Sequence, residues 1–133
     1  MWTELIPKSE ITYRVTEKTV DFASRFGRYL GRNDNDGKQL TTSQLRKFFG
    51  EVKRQQMQGF DQTRFILLKP KLAYAVGRVV SRNDSKFKIV DFYRVISSAI
   101  DEVTDQKSFN NFINIFEAIV AYHKVSEEGE YLL

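Results

Sequence analysis

Leu40-Thr41-Thr42-Ser43-Gln44-Leu45-Arg46-Lys47-Phe48-Phe49-Gly50-Glu51-Val52 is the stretch that decides how the rest of the chain is read. Thr41 followed three residues later by Gln44 makes a capping box, in which the two side chains satisfy backbone N–H groups that a helix start leaves open. Leu45, Phe48, Phe49 and Val52 then recur every three to four residues, which predicts one apolar face on a helix running to about Gln58.

The same punctuation continues in both directions. Downstream, Gly59 ends the helix and Asp61 caps another, predicted over Gln62 to Val80 with Phe65, Leu68, Leu72, Ala73, Val76 and Val80 facing inward. Pro70 interrupts that pattern, and a kink is favoured over a new helix carrying Pro70 in its first turn. Ser85 opens a fourth helix reaching Val103, and Asp105 caps a fifth that carries Phe109, Phe112, Ile113, Phe116, Ile119, Val120 and His123. Upstream, Thr16 caps a helix over 17–30 with Val20, Ala23, Phe26 and Leu30 on its apolar side, stopped by Gly31. Ile11 to Val15 alternates over five residues, so 1–15 reads as an extended arm, and 126–133 as a flexible tail. The prediction is an all-α, single-domain bundle of about five helices over 1–133.

Composition agrees. A chain of 133 residues with 41% hydrophobic and 29% charged residues is an ordinary folded, soluble domain with one core. Zero cysteines exclude disulfides, thiolate metal sites and a cysteine nucleophile. The amino terminus has no basic segment followed by an apolar one, and the longest apolar run, Phe65 to Leu68, falls far short of a membrane span. A cytoplasmic protein with no membrane partner is expected.

Catalytic chemistry finds no foothold. His123 stands alone at the edge of an apolar stripe, without a partner for a triad, and reads as a core-edge histidine. Asp101, Glu102 and Asp105 are explained by a solvated helix end and by capping. Neither phosphate-cradling glycine motif occurs. The loop Asn33-Asp34-Asn35-Asp36-Gly37 resembles a calcium loop until the ladder is completed: position twelve is Ser43 rather than a bidentate glutamate, so a solvated turn is expected. No catalytic residue, metal or cofactor is expected.

The charge distribution points elsewhere. Residues 41–88 carry eleven basic residues against three acidic ones, whereas 89–133 carry three against eight. A middle this basic is an electrostatic footprint for a polyanion, most often nucleic acid. Lys71, Ala75, Arg78 and Arg82 fall at i, i+4, i+7 and i+11, lining three cations on one helix face beside Tyr74. Arg46 and Lys53 are seven apart, as are Lys47 and Arg54. Two such stripes predict a groove wall that tracks phosphates without reading bases. Tyr74 would stack on a base or pack under a lysine stem, with packing preferred.

Three segments carry a resemblance: Leu40 to Phe48; Leu67-Leu68-Lys69-Pro70-Lys71-Leu72-Ala73-Tyr74-Ala75-Val76-Gly77-Arg78; and Phe116-Glu117-Ala118-Ile119-Val120-Ala121-Tyr122. In order and spacing they resemble the small subunit of type III-A CRISPR effector (Csm) complexes, over about 40–124. The resemblance implies a helical, non-catalytic subunit stacked in several copies along the guide RNA and target RNA duplex, beside backbone and large subunits that carry the chemistry. It assigns Arg46, Lys71 and Arg78 to basic RNA-binding positions and Tyr74 to an aromatic one, while Lys47, Lys53, Arg54, Lys69 and Arg82 join them by charge and spacing. Stacking in a filament requires a head-to-tail contact between different surfaces, for which the acidic carboxy-terminal part is a candidate. The alternative is a helix-turn-helix DNA-binding protein built on the second and third helices, against which the exposed face is mostly cationic rather than varied.

Overall fold

In the computed structural model, residues 1–80 and 86–127 are described. They form α1 (Lys8–Thr12), α2 (Glu17–Leu30), α3 (Thr42–Gln58), α4 (Gln62–Ile66), α5 (Leu68–Val80), α6 (Ile89–Asp101) and α7 (Gln106–Glu127), with no strand among the described residues beyond two isolated bridges. The chain is an all-α single domain.

Local chemistry sets most of the boundaries. At the start of α3 the Gln44 N–H donates to Thr41 Oγ1 at 3.1 Å and the Thr41 N–H to Gln44 Oε1 at 2.9 Å, so both halves of the capping box are made. Asp61 accepts from the Arg64 N–H to start α4, and Asp105 accepts from the Ser108 N–H to start α7. Gly59 closes α3 at φ 91, a left-handed conformation that glycine adopts without a Cβ penalty.

The long α7 is the axis of the core. Its Phe116 ring lies 5.6 Å from Phe48 on α3, 5.8 Å from Phe92 on α6 and 5.9 Å from Phe112, while Phe65 on α4 meets Phe109 and Phe112 at 5.3 and 5.2 Å. Helix α2 lies along α7 in the same direction, with Gly27 against Ile119 and His123 and Gly31 against His123 and Ser126. A Cβ at Gly27 would sit 2.6 Å from the Ile119 carbonyl oxygen, so the two backbones approach more closely than any other residue permits. Trp2 packs over Phe22, Phe26 and Tyr29 and covers the outer side of α2. By contrast α5 buries only Leu68 and Leu72 fully.

Several expectations are corrected. The predicted arm at 1–15 contains α1, and its buried Glu10 accepts hydrogen bonds from the backbone N–H and hydroxyl of both Thr16 and Thr19. That network turns Thr19 inward, so the buried stripe of α2 runs through Thr19, Phe22, Ala23 and Phe26 and leaves Val20 52% exposed. The helix predicted over 62–80 breaks at Leu67, and α5 starts afresh with Pro70 in its first turn, where a missing N–H costs nothing. Ala73 is exposed and Phe49 half-buried rather than core. Helix α6 begins at Ile89, with the expected start at Ser85 outside the described residues, and stops at Asp101. Ser126 and Glu127 of the expected tail are the last residues of α7, and 128–133 lie outside the described residues.

Candidate nucleic-acid interface

Because α5 starts at Leu68, its 3.6-residue repeat turns Lys71, Tyr74, Ala75 and Arg78 toward α3, while Leu72 points into the core. Between the two helices lies a cleft of about 730 Å³. Gln44, Lys47 and Glu51 of α3 line one side and Lys71, Tyr74, Ala75 and Arg78 of α5 the other; Leu40, Phe48, Ile89 and Phe92 form the floor.

The rim is mostly cationic. Lys71 Nζ reaches across to Glu51 at 3.3 Å, and Arg54 holds the same carboxylate at 2.5 Å. Burial raises the Glu51 pKa, but the hydrogen bond and charge of Lys71, with Arg54 behind it, outweigh this and hold the carboxyl below its ordinary range. Lys47 and Arg78 make no ion pair among the described residues, and the Arg78 guanidinium lies 5.9 Å from the centre of the Tyr74 ring. Tyr74 is 70% exposed, so it does not pack beneath a lysine stem as preferred from the sequence.

The nine residues singled out from the sequence, four by the resemblance and five by charge and spacing, therefore separate. Lys47, Lys71, Tyr74 and Arg78 come together on the cleft. Arg46 is exposed on α3 away from it. Lys53 pairs with Glu117 of α7 at 2.8 Å, and Lys69 with Asp101 of α6 at 2.7 Å. Such exposed pairs are worth about 0–1 kcal/mol each. Arg82 lies outside the described residues.

One cation counted in the basic middle is not on the surface at all. Lys88 is fully buried, donating from Nζ to the carbonyls of Tyr29 at 2.7 Å and Arg32 at 2.8 Å and to Asp34 Oδ2 at 2.8 Å. Burial lowers its pKa, with Asp34 opposing the shift. This lysine fastens the 32–38 loop to the body of the fold; nothing local in the sequence marks it, since its partners lie more than fifty residues away. The loop itself is a turn tied by Asp34, and among the described residues no group of three or more histidine, cysteine or acidic side chains could hold a metal ion. His123 is buried with Nε2 2.6 Å from the Leu40 carbonyl oxygen, tying α7 to the lead-in of α3. Among the described residues, no helix is long and apolar enough to cross a membrane.

Comparison with known proteins reaches further along the chain than the three sequence segments. No curated protein and no solved structure matches. The family model described as Csm2 Type III-A matches residues 14–129, taking in α2 and the 32–38 loop as well as every helix that builds the cleft. With that span covering nearly all of the described helical core, the chain belongs to the Csm2 Type III-A family.

Proposed function

We propose that this protein is a non-catalytic subunit of a type III-A CRISPR RNA-guided complex, stacking in several copies along the guide–target RNA duplex and holding RNA backbone through the cations of the α3–α5 cleft. Family membership supports the place in a Csm complex. The observation that supports the RNA-holding surface is the convergence of Lys47, Lys71 and Arg78 on one rim, two of them without an ion-pair partner among the described residues. Cations that meet phosphates bind without regard to sequence, and each neutralised phosphate releases counterions, which makes affinity fall with salt. Such a surface serves any guide, as a stacking subunit must. Guide RNA, target RNA, the backbone and large subunits, and a head-to-tail neighbour of the same kind are the partners of this reading.

The test is a complex reconstituted with Lys71→Ala and Arg78→Ala, with RNA binding measured across a salt series and two unrelated guides. The expected result is weaker binding and a shallower salt slope, equal for both guides. An unchanged affinity and slope would remove the cleft rim from the RNA interface, and protection of particular bases in duplex DNA by the chain would favour the helix-turn-helix alternative.

A further inference from the structure

We propose that the α3–α5 cleft seats an unstacked nucleobase of the bound RNA strand, with the flanking phosphates on its cationic rim. This rests on the reading of the rim as an RNA-backbone surface and adds a ligand for the space behind it. A surface that only tracks phosphates needs cations and no depth. Here the cations border a concavity of about 730 Å³, within the size range of small-molecule sites, about 300–1,000 Å³, and its floor is apolar, built from Leu40, Phe48, Ile89 and Phe92.

The chemistry at the mouth narrows the occupant. Tyr74 presents an exposed ring with the Arg78 guanidinium over it, 5.9 Å from its centre, so an aromatic ring and a planar cation stand together at the entrance. Aromatic rings and arginine planes are the surfaces on which single-stranded bases stack, whatever their identity. An apolar side chain from a protein neighbour could fill the floor, but it would bring no anion to Lys47 and Arg78, because the one carboxylate on the rim, Glu51, is already engaged by Lys71 and Arg54. A nucleotide satisfies both: its base meets the apolar floor and the ring, and its phosphates meet Lys47, Lys71 and Arg78. The stacking is sequence-tolerant, which agrees with a subunit that must accept any target.

The experiment compares binding of the full chain to a short single-stranded RNA and to an oligonucleotide of the same length and phosphate number with abasic sites, across a salt series. The expected result is about tenfold tighter binding of the base-bearing strand, the size of one base–aromatic stack. Ala75→Phe, which fills the cleft without changing charge, and Tyr74→Ala, at an exposed position that leaves the fold intact, should each abolish that preference while keeping the wild-type salt slope. Equal affinity for both strands with a normal salt slope would overturn the base site and leave the backbone surface standing. A salt slope unaffected by removing Lys47, Lys71 and Arg78 would instead overturn the backbone surface itself. If Ala75→Phe bound RNA like wild type but no longer joined the other Csm subunits, the cleft would be a protein seat and the proposal would fall.

Discussion

Lys71 Nζ on α5 and the Glu51 carboxylate on α3 close to 3.3 Å across the mouth of the cleft, and Glu51 holds Arg54 at the same time. One carboxylate therefore restrains a cation of the rim, Lys71, and its own neighbour on α3, Arg54. Phosphate must compete with it. Glu51→Gln keeps the size and polarity of the side chain and frees both cations, so RNA affinity should rise by several-fold and the salt slope steepen by about one phosphate contact. Titrating RNA into the variant at three or more salt concentrations checks this, and the thermal midpoint should move little because exposed pairs are weak.

Acid should destabilise the fold in a definite window. Burial raises the Glu10 pKa, but the hydrogen bonds from Thr16 and Thr19 more than offset it and the folded-state value lies below the ordinary 4.5. Asp34 is lowered in the same sense, by Lys88 against its own burial. A carboxyl with a depressed folded-state pKa contributes its full stabilisation above the unfolded-state value. That contribution is lost as pH falls toward the folded-state value, because the unfolded chain binds the proton first. Denaturant midpoints should be flat from neutral pH down to about 5 and then drop. In Glu10→Ala the drop should shrink and stability at neutral pH should fall by about 1–3 kcal/mol, the cost of leaving buried donors without their acceptor.

Two glycines in helices should respond in opposite ways. Gly27→Ala places a methyl against the Ile119 carbonyl and the His123 backbone N, neither of which can swing aside. A loss of about 1–3 kcal/mol is expected from overpacking, against a propensity gain of about 1 kcal/mol. Gly50, also inside a helix, leaves open space where a Cβ would stand, and Gly50→Ala should stabilise by about 0.5–1 kcal/mol. Urea unfolding of the two variants side by side reads both signs.

Lys88→Met should separate charge that binds from charge that builds. It removes a cation from the basic middle yet leaves the rim untouched, so the salt slope of RNA binding should not change. Stability should fall by about 1–3 kcal/mol, as the carbonyls of Tyr29 and Arg32 lose their buried donor.

What could be read in advance divides by distance along the chain. The capping box at Thr41 and Gln44, the caps at Asp61 and Asp105 and the stops at Gly31 and Gly59 are local chemistry, and each marks a helix end in the structure. Periodicity placed Phe48, Phe92, Phe112 and Phe116 in the core for the same reason. It failed at Val20, because the face of α2 is fixed by Thr19 bonding to a glutamate nine residues earlier, in a helix too short to leave a repeat. At Pro70 a kink and a helix start carry nearly the same pattern, and the exposed Ile66 and Leu67 beside the break gave no polar marker for it. On the cleft, the α5 stripe was legible as a stripe. Its floor was not, since Leu40, Ile89 and Phe92 come from segments that only the folded chain brings together.

The helix that carries Lys71, Tyr74 and Arg78 buries Leu68 and Leu72 near its start and packs Val76 and Val79 only partly against the core, whereas α2 and α7 are locked together along backbones in near contact. Free energy of local opening follows such anchoring, so amide protons in the second half of α5 should exchange ahead of those of α2 and α7. On the proposed RNA-binding reading, a contact helix anchored more loosely than α2 and α7 would let one subunit follow the uneven rise of a strand from copy to copy without repacking its core.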